Sequence, residues 1–392
     1  MSVLMEEAVN KHQFMLDPFC VTWRKLKMTP DSSRFAVGIF IVLVSLGGAY
    51  ATLNNFSDRP AGSAERLHEE LNVGFASHWR ARTGVNIKVD QARSRSGKPV
   101  HITLDGLDIP ALALSYDVDK LHDKERFIAP DFRQLLAQDF RTGSYPSPYT
   151  STIVFLVRKG NPKKLKDWGD LVRSDIKVVT PNPRHSESGR WNYLAAWGYA
   201  VRRSGGSEQA AREFVSQLFA NVQTVDYEGK KPGNLGAAFV FRNIGDVLLT
   251  WENEAYLIVQ NSGADKFEVI TPSISIVAEP AISVVDAAAR GKSTRRVAAS
   301  YIEYLYTPQA QHIAAKHYYR PRDPAITTKY VDRFPRLELF TVDEVSSGWQ
   351  KAQKIHFARG GVFDQITGDV PNSVAVRGAI DRDHIQAGNA KG

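Results

Sequence analysis

Apolar positions recur along the chain in two rhythms that take turns. Leu67, Leu71, Phe75 and Trp79 fall four apart after Ser63, so one stripe of a helix is apolar, and Gly84 closes it. A strand is predicted at Val85 to Val89. Ala111 to Leu114 and Thr152 to Val157 are short apolar runs bounded by Pro and Gly, and Lys177 to Thr180 ends at Pro181. Each predicts a buried strand. Arg190 to Val201, with Trp191, Leu194 and Trp197 three apart, predicts a helix stopped by Gly205 and Gly206, and Ala210 to Phe219 predicts another. A strand at Val247 to Thr250, a helix at Glu252 to Gln260, a strand at Ile282 to Val285 and a helical pair at Thr294 to Leu305 and Gln309 to Lys316 follow. Such alternation marks an α/β architecture, and no repeat or low-complexity segment interrupts it.

One stretch breaks the rhythm. Phe35 to Ala51 is uncharged over 17 residues and ends in Ala49-Tyr50-Ala51. It is shorter than the roughly 20 residues of a spanning helix, and its ending suits signal peptidase, so an export signal cleaved after Ala51 is predicted. Arg24, Lys25, Lys27 and Arg34 then flank it on the cytoplasmic side. The 34 residues ahead of it are long for a signal, which leaves open a start of translation at Met28 or an uncleaved anchor that would tether the protein. The only cysteine, Cys20, precedes this stretch, so the exported part has neither disulfides nor thiolate metal sites, and no lipoprotein anchor is written there.

An exported part of about 340 residues exceeds what one core usually fills, so two lobes are expected. The plan read from the chain is a flank and signal or anchor at 1–51, the first part of lobe I at 52–150, lobe II at 151–250, a return segment of lobe I at 251–320, and a C-terminal helical wrap and tail at 321–392. The run Thr150 to Val157 is the first crossing between lobes and Leu249 to Glu252 the return.

Composition narrows the function by exclusion. The chain has 392 residues and a net charge of +8, but its 50 basic residues are scattered among 42 acidic ones. No stripe of basic and aromatic residues recurs, so nucleic acid is not expected as a partner. No H-E-x-x-H, G-x-S-x-G, phosphate-loop or Cys/His metal spacing occurs. Ser96-Gly97-Lys98 lacks the first glycine and the hydroxyl residue of a phosphate loop, and His185 beside Ser186 is not a nucleophile and base. No enzyme, metal or cofactor is expected. Arg158, Lys159, Arg320 and Arg322 read as partners in structural or lobe-surface ion pairs.

Longer words are more specific. They are YTSTIVFLVRKGNPK at Tyr149 to Lys163, Asn182-Pro183 before RWNYLAAWGYA at Arg190 to Ala200, IGDVLLTWENEA at Ile244 to Ala255 and KFEVITPS at Lys266 to Ser273. YRPRD at Tyr319 to Asp323, FPRLELFTVDEV at Phe334 to Val345, GGVFDQI at Gly360 to Ile366 and the upstream FASHW and ALSYDVD complete the set. In order and spacing, across nearly all of the exported part, they resemble the periplasmic sulfate-binding proteins. The resemblance implies a type II periplasmic-binding-protein fold, two α/β lobes with a ligand cleft at the hinge. It implies a monomer that takes a small inorganic anion, sulfate or thiosulfate, from the periplasm and docks on the membrane permease subunits of an ABC importer. It also implies that the anion is held by neutral hydrogen-bond donors from loops and helix N-termini, which carry unpaired N–H groups and partial positive charge. Carried over by position, Ser96 supplies a hydroxyl and Gly97 lets a following helix start close to the ligand. Ser186 supplies a second hydroxyl, Glu187 and Ser188 supply backbone N–H groups, and Trp251 supplies its indole N–H.

The departures from that family fall on the ligand loops. Arg93-Ser94-Arg95 stands where the family has His-Gly-Gly, and Glu187-Ser188 where it has a glycine pair. FSDRPAGSAER replaces the short first loop, and Tyr227 to Gly236 is lengthened. Three readings follow: sulfate or thiosulfate bound by surviving amides; a protonated oxyanion or organic ligand accepted by a Glu187 carboxylate facing the cleft, beside Arg93 or Arg95; or a scaffold or sensor that transports nothing.

Overall fold

The computed structural model describes residues 63–92, 100–104, 107–112, 147–223, 235–282 and 292–368, all within the compact unit Pro60–Gly392. The predicted export segment, Cys20, Ser96 and Gly97 lie outside the described residues.

Two cores are built from the two rhythms. In the first, helix α1 (Ser63–Thr83) turns Leu67, Leu71 and Phe75 inward against Tyr301, Tyr304, Leu305, Ile313 and Ala314. Those residues come from α6 (Lys292–Leu305) and α7 (Pro308–Lys316), the latter started by Pro308 and capped by the Thr307 side chain. Beside them lies an antiparallel sheet of β1 (Val89–Ala92), β2 (Val100–Leu104), β3 (Leu107–Leu112) and β10 (Ala281–Ile282), in the order β1-β2-β3-β10. The strand expected at 85–89 therefore begins at 89, and a strand, not a helix, follows Gly97.

The second core surrounds a sheet ordered β6-β7-β5-β8, from β6 (Val178–Val179), β7 (Val247–Trp251), β5 (Ile153–Arg158) and β8 (Phe267–Ile270). β5 reads as an unbroken apolar run because both its faces are covered. Ile153, Phe155 and Val157 join one hydrophobic cluster, Val154 and Leu156 another. Helix α2 (Glu187–Arg203) lies on the first face and is buried all round from Trp191 to Ala200. Helix α3 (Glu208–Ala220) packs beside it, while α4 (Leu235–Phe241) supplies Phe239 to the opposite face.

The crossings between the two cores lie side by side. Tyr149 and Thr150 form β4, which pairs with β11 (Arg320–Pro321). Ser151 bridges to Ala278, Thr152 Oγ1 donates to Ile276 O at 2.9 Å, and Ser275 Oγ donates to Ile153 O at 2.9 Å. The return expected at 249–252 is thus displaced. After Trp251 the chain forms α5 (Glu252–Ser262) and then β8, which pairs with β5 in the same sheet, and it reaches the other sheet only at Ala281. The C-terminal stretch is more than a wrap. β12 (Glu338–Phe340) pairs in parallel with β9 (Ile274–Ile276), and Phe340, Trp349, Phe357 and Phe363 are buried in the second core.

Candidate functional site

Trp251 is the last residue of β7 and shares a face with Val247 and Leu249, the face that α2 covers. Its ring meets Trp191 edge-on, 6.1 Å between centroids at 87°, and Trp191 meets Trp349 at 4.6 Å. With 8% exposure the indole is held by apolar contacts, yet its Nε1–H is buried and has no acceptor among the described residues. An unmade donor in such a place costs about 1–3 kcal/mol. Trp168 in the same core shows the ordinary solution, donating Nε1–H to Ile274 O at 2.8 Å.

Ser186 caps α2. Its backbone is extended, φ −133°, and its hydroxyl oxygen accepts from Gly189 N at 3.2 Å, leaving the hydroxyl proton to donate elsewhere. The preceding turn is fixed by Asn182, whose main-chain oxygen accepts from His185 N at 3.1 Å and Ser186 N at 3.0 Å and whose Oδ1 accepts from Arg184 N at 2.9 Å. Gly189 is needed because a Cβ there would stand 2.5 Å from Pro181 O and 2.9 Å from Asn182 C. The helix start is pressed onto the turn. Glu187 and Ser188, both half-buried, open the helix, where N–H groups have no intrahelical acceptor and the dipole favours negative charge.

Two side chains tie these parts together. Asn192, one turn into α2, donates Nδ2 to Leu249 O and to Thr180 Oγ1, each at 2.9 Å. Trp191 carries the contact to Trp251, about 7.5 Å along the helix from Ser186. Ser186 and Trp251 are therefore set near one end of the second core, beside the crossings. Each has a buried ion pair close by. Arg184 Nη2 meets Asp364 Oδ1 at 2.7 Å, with the carboxylate 1% exposed. Glu252, fully buried, accepts from Arg320 Nε at 2.6 Å and Nη2 at 2.7 Å. Burial pushes the Glu252 carboxyl above its ordinary range, although Arg320 pulls the other way. No group of three or more potential metal ligands occurs among the described residues. A cavity of about 620 Å³, lined by Arg158, Lys177, Asn243 and Asp246, opens at the start of β7 and not at Trp251.

Residues 70–320 match the model of the bacterial extracellular solute-binding protein family. The chain is 48% identical over 338 residues to the sulfate-binding protein of Salmonella typhimurium, covering 85% of this chain and 99% of that one. It belongs to this family of solute-binding proteins. A thiosulfate-binding protein from Pseudomonas aeruginosa is 39% identical over 334 residues, covering 85% and 98% of the two chains. Among solved structures, the sulfate-binding protein SubI from Mycobacterium tuberculosis superposes with a TM-score of 0.52 at 30% identity, over 63% of this chain and 80% of that one. The apo ferric ion-binding protein A of Pasteurella haemolytica gives 0.50 at 14% identity, covering 76% and 94%, which shows the fold alone. The two-lobed α/β fold expected from the sequence is that of the family.

For this solute-binding protein, the structure places Ser186, Glu187, Ser188 and Trp251 at one end of the second core. Ser96, Gly97, Arg93, Arg95 and most of the loop at 227–236 lie outside the described residues. Sequence reasoning missed Asn192, Gly189 and the Arg184–Asp364 pair. Asp364 stands in the quoted word GGVFDQI, but nothing in its spacing links it to Arg184. Arg320 and Arg322 do form ion pairs, with Glu252 and Glu279. No helix of the described residues is long and apolar enough to cross a membrane.

Proposed function

We propose that this protein captures sulfate or thiosulfate outside the cytoplasm, encloses it between its lobes and hands it to the membrane permease of an ABC importer without chemical change. One observation carries the reading: the Trp251 indole N–H is a buried donor, packed edge-on against Trp191, with no acceptor among the described residues. Its position beside the capped start of α2 supports a site made of neutral donors. The relatives bear names of the same anions, sulfate at 48% identity and thiosulfate at 39%.

A fully ionised dianion accepts hydrogen bonds in every direction, and donors alone satisfy it. A protonated oxyanion has a hydrogen of its own that must face an acceptor, so a donor-only site discriminates against it. Charge-assisted bonds of about 1.5–3 kcal/mol each suffice in small number for the roughly 8 kcal/mol of micromolar binding. Glu187 is the residue that favours a different ligand, since its carboxylate lies in the first turn of α2. Calorimetric titration of sulfate, thiosulfate and phosphate decides between them. Tight binding of sulfate or thiosulfate with weak phosphate binding is expected. The reverse order, restored to sulfate preference by Glu187→Gly, would assign the site to a protonated anion.

A further inference from the structure

We propose that Glu252 and Arg320 are positioning residues for anion capture: their buried ion pair fixes the Trp251 indole and ties it to the strands on which the lobes hinge. The inference rests on the anion-binding reading above and adds to it two residues that need not touch the anion.

No hydrogen bond from the described residues fixes the tip of the indole, because Nε1–H has no partner among them. Its direction is set by the ring contact with Trp191 and by the backbone at its root. The next residue controls that backbone. Glu252 N donates to Thr152 O at 2.8 Å, and the Glu252 carboxylate is gripped at both oxygens by Arg320. Arg320 in turn pairs through its main chain with Thr150 of β4, and its Nη2 donates to Pro335 O at 3.1 Å. Both the amide and the side chain of Glu252 are thus anchored to the crossing segment 149–153 or to the strand hydrogen-bonded to it. Asn253 adds a third tie, its Oδ1 accepting from Ser151 Oγ at 2.5 Å. A change of angle at the crossing must pass through these contacts to the root of Trp251.

The chemistry of the pair fits positioning better than attraction. Glu252 is fully buried and Arg320 has a side-chain exposure of 16%, so neither presents a net charge to a ligand. The planar guanidinium fork meets two carboxylate oxygens in one geometry, which a lysine ammonium does not reproduce. A second pair at the same junction, Arg322 with Glu279, is partly exposed at 39% and 30% and roots no donor. It serves as the control.

The test compares Arg320→Lys, Glu252→Gln and Arg322→Lys in the full protein. It reads sulfate affinity by calorimetry and the proton–nitrogen resonance of the Trp251 indole in the absence of anion, assigned by its loss in Trp251→Phe. Arg320→Lys is expected to weaken sulfate binding about tenfold, half or so of one charge-assisted bond, and to move the indole resonance before any ligand is added. Glu252→Gln, which keeps the shape and one acceptor, is expected to do both to a smaller degree and serves if the arginine variant fails to fold. Arg322→Lys should leave both readouts at the parent values. The proposal is overturned if Arg320→Lys and Glu252→Gln lower only the thermal midpoint, or if Arg322→Lys changes affinity as much. Should the parent protein bind no sulfate, the anion reading fails, and the ligand-free indole resonance still decides the positioning role.

Discussion

Replacing Trp251 with phenylalanine removes one N–H and part of a ring, and the structure says that the two losses act on different quantities. In the free protein the N–H makes no bond to any described residue, so removing it relieves an unmade donor worth about 1–3 kcal/mol. The smaller ring gives up part of the edge-on contact with Trp191 and leaves a small void, a loss of about the same size and opposite sign. The thermal midpoint without ligand should move little. On the proposed reading the same N–H is a charge-assisted donor to the anion, worth about 1.5–3 kcal/mol, so its loss should weaken sulfate binding by about 10- to 150-fold at 1.4 kcal/mol per tenfold. Trp168→Phe supplies the mirror experiment. Its N–H already satisfies Ile274 O at 2.8 Å, so its loss orphans a buried carbonyl and lowers stability while leaving affinity alone. Calorimetric titration and ligand-free thermal unfolding of the two variants test this crossing pattern. Equal sulfate affinity in Trp251→Phe and the parent, or equal weakening in Trp168→Phe, would refute the assignment of Trp251 as a ligand donor.

Ser186→Ala removes both the cap of α2 and a hydroxyl donor; a stability loss of about 1 kcal/mol and a roughly tenfold weaker sulfate affinity are expected, read by thermal unfolding and titration. Gly189→Ala places a methyl 2.5 Å from Pro181 O, a backbone atom that cannot step aside; the helix start must shift, at a cost of about 1–3 kcal/mol, and anion affinity should fall with it, whereas Ser207→Ala at the cap of α3 should change stability alone. Burial lowers the imidazoles of His68 and His356 to about 4 from 6.5, so each is neutral when folded and takes a proton when unfolded. Their contribution to stability is therefore full above pH 6.5 and declines as the pH falls towards 4, by about 3 kcal/mol each; chemical denaturation across that window should show the slope, and a slope undiminished in His68→Gln, for its share, speaks against it.

How much of this was legible in the chain depends on how local the signal is. β5 announces itself because a strand covered on both faces is apolar at every position, and α1 because its inward residues fall four apart. The return between lobes is not local. Trp251 followed by polar Glu252 and Asn253 looks like the end of a lobe, and only the pairing of β8 with β5, more than a hundred residues back along the chain, shows that the sheet continues. Phe340, Trp349, Phe357 and Phe363 carry no mark that says which core they enter. At the site, the words around Ser186 and Trp251 are readable, but the absence of a partner for the indole is a property of every neighbour that fold brings near. No spacing predicts it. The pairing of Arg184 with Asp364 is hidden for the same reason.

The placement of charge explains why such a site can be both rigid and selective. An arginine aimed at the anion would attract any anion, protonated or not, and would leave discrimination to shape. Among the described residues, Arg184 and Arg320 are spent on Asp364 and Glu252, within a residue or two of Ser186 and Trp251, in pairs that are largely shielded from water. Such pairs are poor sources of stability, because removing two charges from water offsets most of their attraction, and the raised Glu252 carboxyl shows that burial is not fully offset by Arg320. What they do supply is geometry: Arg320 grips Glu252 at two points and Arg184 meets Asp364 at one, which holds a strand end and a turn in place while adding no net charge. On the proposed reading the neighbouring donor meets the anion as a neutral N–H or O–H of fixed direction, which is the condition under which a bound hydrogen on the ligand becomes a penalty.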